Sequence, residues 1–166
     1  MLPHAADQPL QRITTGTTEE DEEEDEPTPA PAEVQKLQQE YYGAQDEDRK
    51  SEIIFELSDM DTEASALALS QMINAENNVE LKAQMLMAYG DVDAPADQKL
   101  SVLSRFLAPN TPEELRSNAI EALEGVDDPR AIGLWQQLLN DPDEDLRDSA
   151  KTNIERLQAP PEPDDE

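Results

Sequence analysis

Glu124-Gly125-Val126-Asp127-Asp128-Pro129 is the third writing of one short phrase. The earlier writings are Ser58-Asp59-Met60-Asp61-Thr62 and Gly90-Asp91-Val92-Asp93-Ala94-Pro95. Asp61, Asp93 and Asp127 stand 32 and 34 residues apart, each behind one apolar residue, Met60, Val92 or Val126. A period of this length between stretches of helical spacing is the mark of a stack of helix pairs. The phrase therefore reads as a joint. Its apolar residue tucks under the junction, and Asp61, Asp93 or Asp127, or a neighbour, is expected to cap the next helix. Asp59, Asp91 and Gly125 fall where a left-handed residue would close the preceding one.

Outward from the joints, apolar residues recur at helical spacing. Val34, Leu37 and Tyr41 share one face, and Ile53, Ile54 and Leu57 share the next. Leu67, Leu69, Met72 and Ile73 form a third seam, followed by Leu81, Met85, Leu86 and Tyr89. Leu100, Leu103, Phe106 and Leu107 oppose Leu115, Ala119, Ile120 and Leu123. Leu134, Leu138 and Leu139 oppose Leu146, Ala150, Ile154 and Leu157, with Trp135 as a packing residue beside them. Pro95, Pro112, Pro129 and Pro142 fit first turns behind Asp93, Thr111, Asp128 and Asp141. The expectation is all-α, four antiparallel helix pairs in a right-handed solenoid over 32–158.

The flanks read differently. Residues 1–31 include eight consecutive acids, Glu19 to Glu26, and then alternating prolines, a composition that favours a disordered arm. Residues 159–166 form a second acidic, disordered tail by the same criterion.

The net charge is −28, and it is not confined to the flanks. Of forty acids, eleven precede Asp46 and four lie in the last eight residues, leaving twenty-five against ten bases in the body. So acidic a body repels phosphate backbones and argues against nucleic-acid binding. There is no cysteine, and the only histidine is His4, outside the helical body. No Gly-rich phosphate loop or metal-ligand cluster appears, which predicts no cofactor, no metal and no enzyme. No stretch is apolar enough to span a membrane and no signal peptide is written, so the expectation is a cytoplasmic monomer. A Pro- and acid-rich arm is also the form of a tether behind an N-terminal anchor, which would place the body in the periplasm or at a membrane.

The stretch Leu139-Asn140-Asp141-Pro142-Asp143-Glu144-Asp145-Leu146-Arg147-Asp148-Ser149-Ala150 resembles a HEAT repeat, in particular the short HEAT-like repeats named after phycobilisome lyases. The resemblance implies a buried polar ladder between repeats, made by an Asp between the two helices and an Arg six residues on. Asp141 and Arg147 match it in full, Asn110 and Arg116 keep the spacing with an amide, and Glu76 and Lys82 keep it with longer groups. The first pair has only Lys50, with Ala44 at the acid position. HEAT-like proteins include scaffolds, bilin lyases and DNA glycosylases with a basic concave face. The acidic body disfavours the last.

Aligning the second helices on Lys50, Lys82, Arg116 and Arg147 exposes the position five residues on: Phe55, Met87, Glu121 and Thr152. Eight residues on stand Ser58, Gly90, Glu124 and Glu155. The expected concave wall is thus apolar at Phe55 and Met87 and acidic at Glu121, Glu124 and Glu155, and adjacent exposed apolar residues mark a binding patch. The function read from these residues is a scaffold or adaptor for a protein partner. An acidic chaperone or nucleic-acid mimic, holding a basic protein through Glu19–Glu26, is the alternative. A bilin-lyase-like accessory protein is a third.

Overall fold

The computed structural model describes residues 31–159, so the acidic arm and tail read from composition lie outside the described residues. Those residues are helical and contain no strand. In chain order the helices are α1 (Pro31–Gly43), α2 (Glu47–Asp59), α3 (Glu63–Ala75), α4 (Val79–Asp91), α5 (Ala96–Leu103), α6 (Glu113–Glu124), α7 (Ile132–Leu138) and α8 (Glu144–Gln158). Short 3₁₀ turns extend α5 over Ser104–Phe106 and precede α7 over Pro129–Ala131. The last two first-of-pair helices are thus shorter than their apolar spacing predicts. Among the described residues no helix is long and apolar enough to cross a membrane.

Each odd-numbered helix packs on the even-numbered helix that follows, and α2, α4 and α6 pack on one another in succession. One apolar core runs from Val34 in α1 to Leu157 in α8. The seam of α4 is buried as its spacing predicts, with Leu81, Met85, Leu86 and Tyr89 all inside. In α3 the expectation fails at Leu67, which is 52% exposed. Leu69, Met72 and Ile73 define the buried stripe, and a residue two places from Leu69 points to roughly the opposite side of a 3.6-residue turn. In α7 the seam passes through Trp135, which is fully buried, while Leu134 and Leu139 are half-buried.

The joints hold, but the capping roles shift. Val92 and Val126 are buried beneath their junctions, whereas Met60 is only half-buried against the core. Thr62 rather than Asp61 caps α3, in a capping box with Ser65. Asp61 is instead the one non-glycine described residue with positive φ, at 45°, a conformation aspartate tolerates better than most side chains. The left-handed residue is therefore neither Asp59 nor Asp91, which end their helices, and Gly125 has φ −74°. Asp61 reaches across one period, its Oδ1 accepting the Asp93 backbone N–H at 2.5 Å. Neither Asp93 nor Asp127 caps a helix. Pro95 holds the N-cap position of α5 without a side-chain bond, and Pro112 does the same for α6. Asp128 caps the Pro129–Ala131 turn, where Pro129 alone of the four prolines is a first-turn residue; Pro142 precedes the α8 cap, Asp143. After the buried apolar residue the chain needs a further residue to turn, so the cap falls beyond the repeated aspartate.

Gly90 marks a close approach of α4 and α6. A Cβ there would lie 2.8 Å from the Ala122 Cβ and 3.2 Å from its Cα. That methyl is fixed to the backbone and cannot swing aside, so the helices themselves would have to separate. Gly90→Val is expected to cost about 1–3 kcal/mol by overpacking, read from urea unfolding. Adding Ala122→Gly should recover part of the loss. An unchanged midpoint in Gly90→Val would show that the helices are not in close contact.

Candidate functional site

Of the expected polar ladder, one Arg–Asp rung is formed among the described residues. Asp141, in the turn before α8, is 6% exposed and pairs with Arg116 of α6, one helix pair earlier. Arg116 also donates through Nε to the Leu107 carbonyl at 2.9 Å. Arg147 does not meet the Asp141 carboxylate; its Nη1 donates to the Asp141 and Pro142 carbonyls at 2.7 and 3.0 Å. Burial pushes the Asp141 carboxyl upward, but the Arg116 hydrogen bonds, the Asp143 amide and both guanidinium charges outweigh it, leaving the group below its usual range.

At the other end, Glu76 accepts from the Tyr41 hydroxyl and from the Asn77 and Asn78 amides, both at 2.8 Å. Burial opposes its charge, yet these bonds and Lys50 hold its carboxyl low. Lys50 lies 4.9 Å from the Tyr41 ring centroid, a cation–π contact. The middle rung is empty. Asn110 is exposed, and among the described residues neither its side chain nor that of Lys82 makes a hydrogen bond.

The outward positions of α2 and α4 carry apolar side chains. Phe55 is 71% exposed and Met87 is 52% exposed, one register step apart on packed helices. Glu121 and Thr152 are exposed at the equivalent places on α6 and α8, as are Glu124 and Glu155 three residues further on. A shallow groove of about 190 Å³ between α4 and α6 has Met87 and Glu121 in its walls. Thr152 donates to the Asp148 carbonyl within α8, and neither it nor Glu155 joins that groove. The structure thus brings Met87, Glu121 and Glu124 into one continuous surface, because Glu121 also lines the next cleft, where Glu124 joins it.

That cleft lies between α6 and α8 and has a volume of about 630 Å³. Ile120 and Leu146 lie in it, and Glu113, Glu121, Glu124, Asp143 and Asp145 supply five carboxylates. Its origin is a change in the small-residue seam between second helices. Between α2 and α4, Ser58 donates to the Ala88 carbonyl at 3.5 Å; between α4 and α6, Gly90 meets Ala122. The equivalent residues of α6 and α8 are Glu124 and Asn153, too large to let the backbones close. Accordingly α6 and α8 form no helix seam comparable with α4 and α6. Polar links span the gap instead. Ser149 donates to Glu124 Oε1 at 2.9 Å, and Arg156 donates to Asp127 Oδ1 at 2.9 Å and to the Glu124 carbonyl at 3.2 Å. The signal for the cleft lay in the sequence, in a comparison of cross-helix pairs rather than of single positions.

No protein-family model, no curated protein and no solved structure matches this chain. Among the described residues no group of three or more His, Cys, Asp or Glu is placed to hold a metal.

Proposed function

We propose that the chain is a non-catalytic protein–protein adaptor, a right-handed HEAT-like solenoid that engages its partner on the face of the second helices. The observation that carries this reading is the exposure of Phe55 and Met87 at equivalent positions of neighbouring helices. An aromatic ring 71% exposed gains little for folding. Covering it together with Met87 in a complex would bury apolar area at roughly 25 cal/mol per Å² before the costs of association. The pairing of successive helices, the Arg116–Asp141 rung and the Tyr41–Glu76–Lys50 cluster agree with a stacked-repeat architecture.

The test separates folding from binding. Phe55→Ser with Met87→Ser should leave the unfolding midpoint nearly unchanged, since exposed substitutions away from special features shift stability by about 0.5 kcal/mol or less. Partners should be identified by quantitative mass spectrometry after affinity capture from the source cells, with the wild type and the double variant side by side. The expected result is selective loss, in the variant, of proteins retained by the wild type. Identical capture by both would remove the apolar face from the interface, and a large drop in stability would place Phe55 in the core.

A further inference from the structure

The α6–α8 cleft adds chemistry to the adaptor reading, on which this inference rests. We propose that it receives a lysine- or arginine-bearing segment of the protein partner, with the apolar stem on Ile120 and Leu146 and the cation among Glu121, Glu124 and Asp145. The groove is built, in that a glutamate stands where the preceding seam has glycine, and α6 and α8 do not close on one another as α4 and α6 do. Among the described residues the one cation that lines it, Arg116, is occupied by the buried Asp141 and the Leu107 carbonyl, leaving the rim carboxylates dominant. Apolar floor and acidic rim match a side chain with a methylene stem and a charged head. Charge also decides between occupants. A second copy brings another −28, and the chain's own Glu19–Glu26 is wholly acidic, so both are repelled. The groove is continuous with Met87 through Glu121, so a basic segment there would extend an interface begun on the apolar face.

The test uses the full chain and two fluorescein-labelled amphipathic peptides, one of leucine and lysine and one of leucine and glutamate, followed by fluorescence anisotropy. The lysine peptide should bind, and Glu121→Gln/Glu124→Gln/Asp145→Asn should weaken it by about tenfold or more, equivalent to about 1.4 kcal/mol. Glu33→Gln/Glu63→Gln/Glu80→Gln removes the same charge from exposed sites elsewhere and should leave binding within about twofold, since scattered surface charges contribute little individually. Ser117→Arg, which puts a cation into the groove with every acid intact, should weaken binding as the first triple variant does. Amide exchange should slow in α6 and α8. Equal weakening by both triple variants, equal binding of the glutamate peptide, protection confined to other segments, or no binding at all would each overturn the proposal. None of these outcomes touches the Phe55 and Met87 comparison, so the adaptor reading can stand if the groove fails.

Discussion

Asp141→Ala is expected to destabilise the fold by about 3–5 kcal/mol at neutral pH, the range seen when one partner of a buried ion pair is removed. Asp141 is nearly inaccessible and Arg116 is mostly enclosed, so the variant leaves a guanidinium buried without its carboxylate. It also leaves the Asp143 amide without the oxygen that accepts from it at 3.0 Å. Replacing both partners with apolar residues, Arg116→Met with Asp141→Leu, should cost less than Asp141→Ala alone, because no charge is then stranded. The pH dependence has a definite sign. The folded-state pKa of Asp141 is lowered, so its contribution is complete above the unfolded value of about 3.9 and is lost as pH falls through the folded value. Urea unfolding at neutral pH and below about pH 3.9 should therefore show the gap between wild type and Asp141→Ala narrowing in acid. A gap that persisted unchanged, or a neutral-pH cost under about 1 kcal/mol, as for a surface pair, would mean the rung is solvated.

Trp135→Ala is the second large effect, with an expected loss of about 3–5 kcal/mol from the cavity it opens. Trp135 is fully buried, and its indole N–H has no hydrogen-bond partner among the described residues. Trp135→Phe should cost less, because it retains much of the ring while removing a buried donor that carries a penalty of about 1–3 kcal/mol. Trp135 is also the only tryptophan in the chain. Wild-type emission should be blue-shifted in the folded protein and move red on urea unfolding, and circular dichroism can follow the variants that lack it. Emission like that of free indole in water, or an alanine variant as stable as wild type, would place the ring outside the core.

Much of the helical framework was legible because it rests on local periodicity. Leu81, Met85, Leu86 and Tyr89 announce the buried face of α4, and the same register turns Met87 outward. Local spacing was less informative where the deciding partner lies elsewhere. Leu67 is as apolar as Leu69, and only the competition of six buried neighbours in α3 for one face excludes it. The caps moved because a joint must first seal its apolar residue, a requirement of packing rather than propensity. Arg147 sits six residues after Asp141 yet binds carbonyls, since the carboxylate is already claimed by Arg116. The α6–α8 cleft needed a comparison across helices: Ser58 with Ala88, Gly90 with Ala122, Glu124 with Asn153. No single one of these residues reveals it.

Gly90 and Glu124, at one register position, mark a change in how neighbouring second helices meet. Up to α6 the second helices adhere through close apolar and backbone contact, an attraction that salt strengthens if it affects it at all. Beyond α6 the apolar core continues through Trp135 and Leu157, but the link between second helices passes to polar groups, the Arg116–Asp141 rung, the Ser149 bond and the Arg156 clasp. Attachments of that kind loosen with ionic strength wherever solvent reaches them. The seam between α6 and α8 should therefore respond to ionic strength where that between α4 and α6 does not, a contrast that amide exchange at low and high salt would read directly.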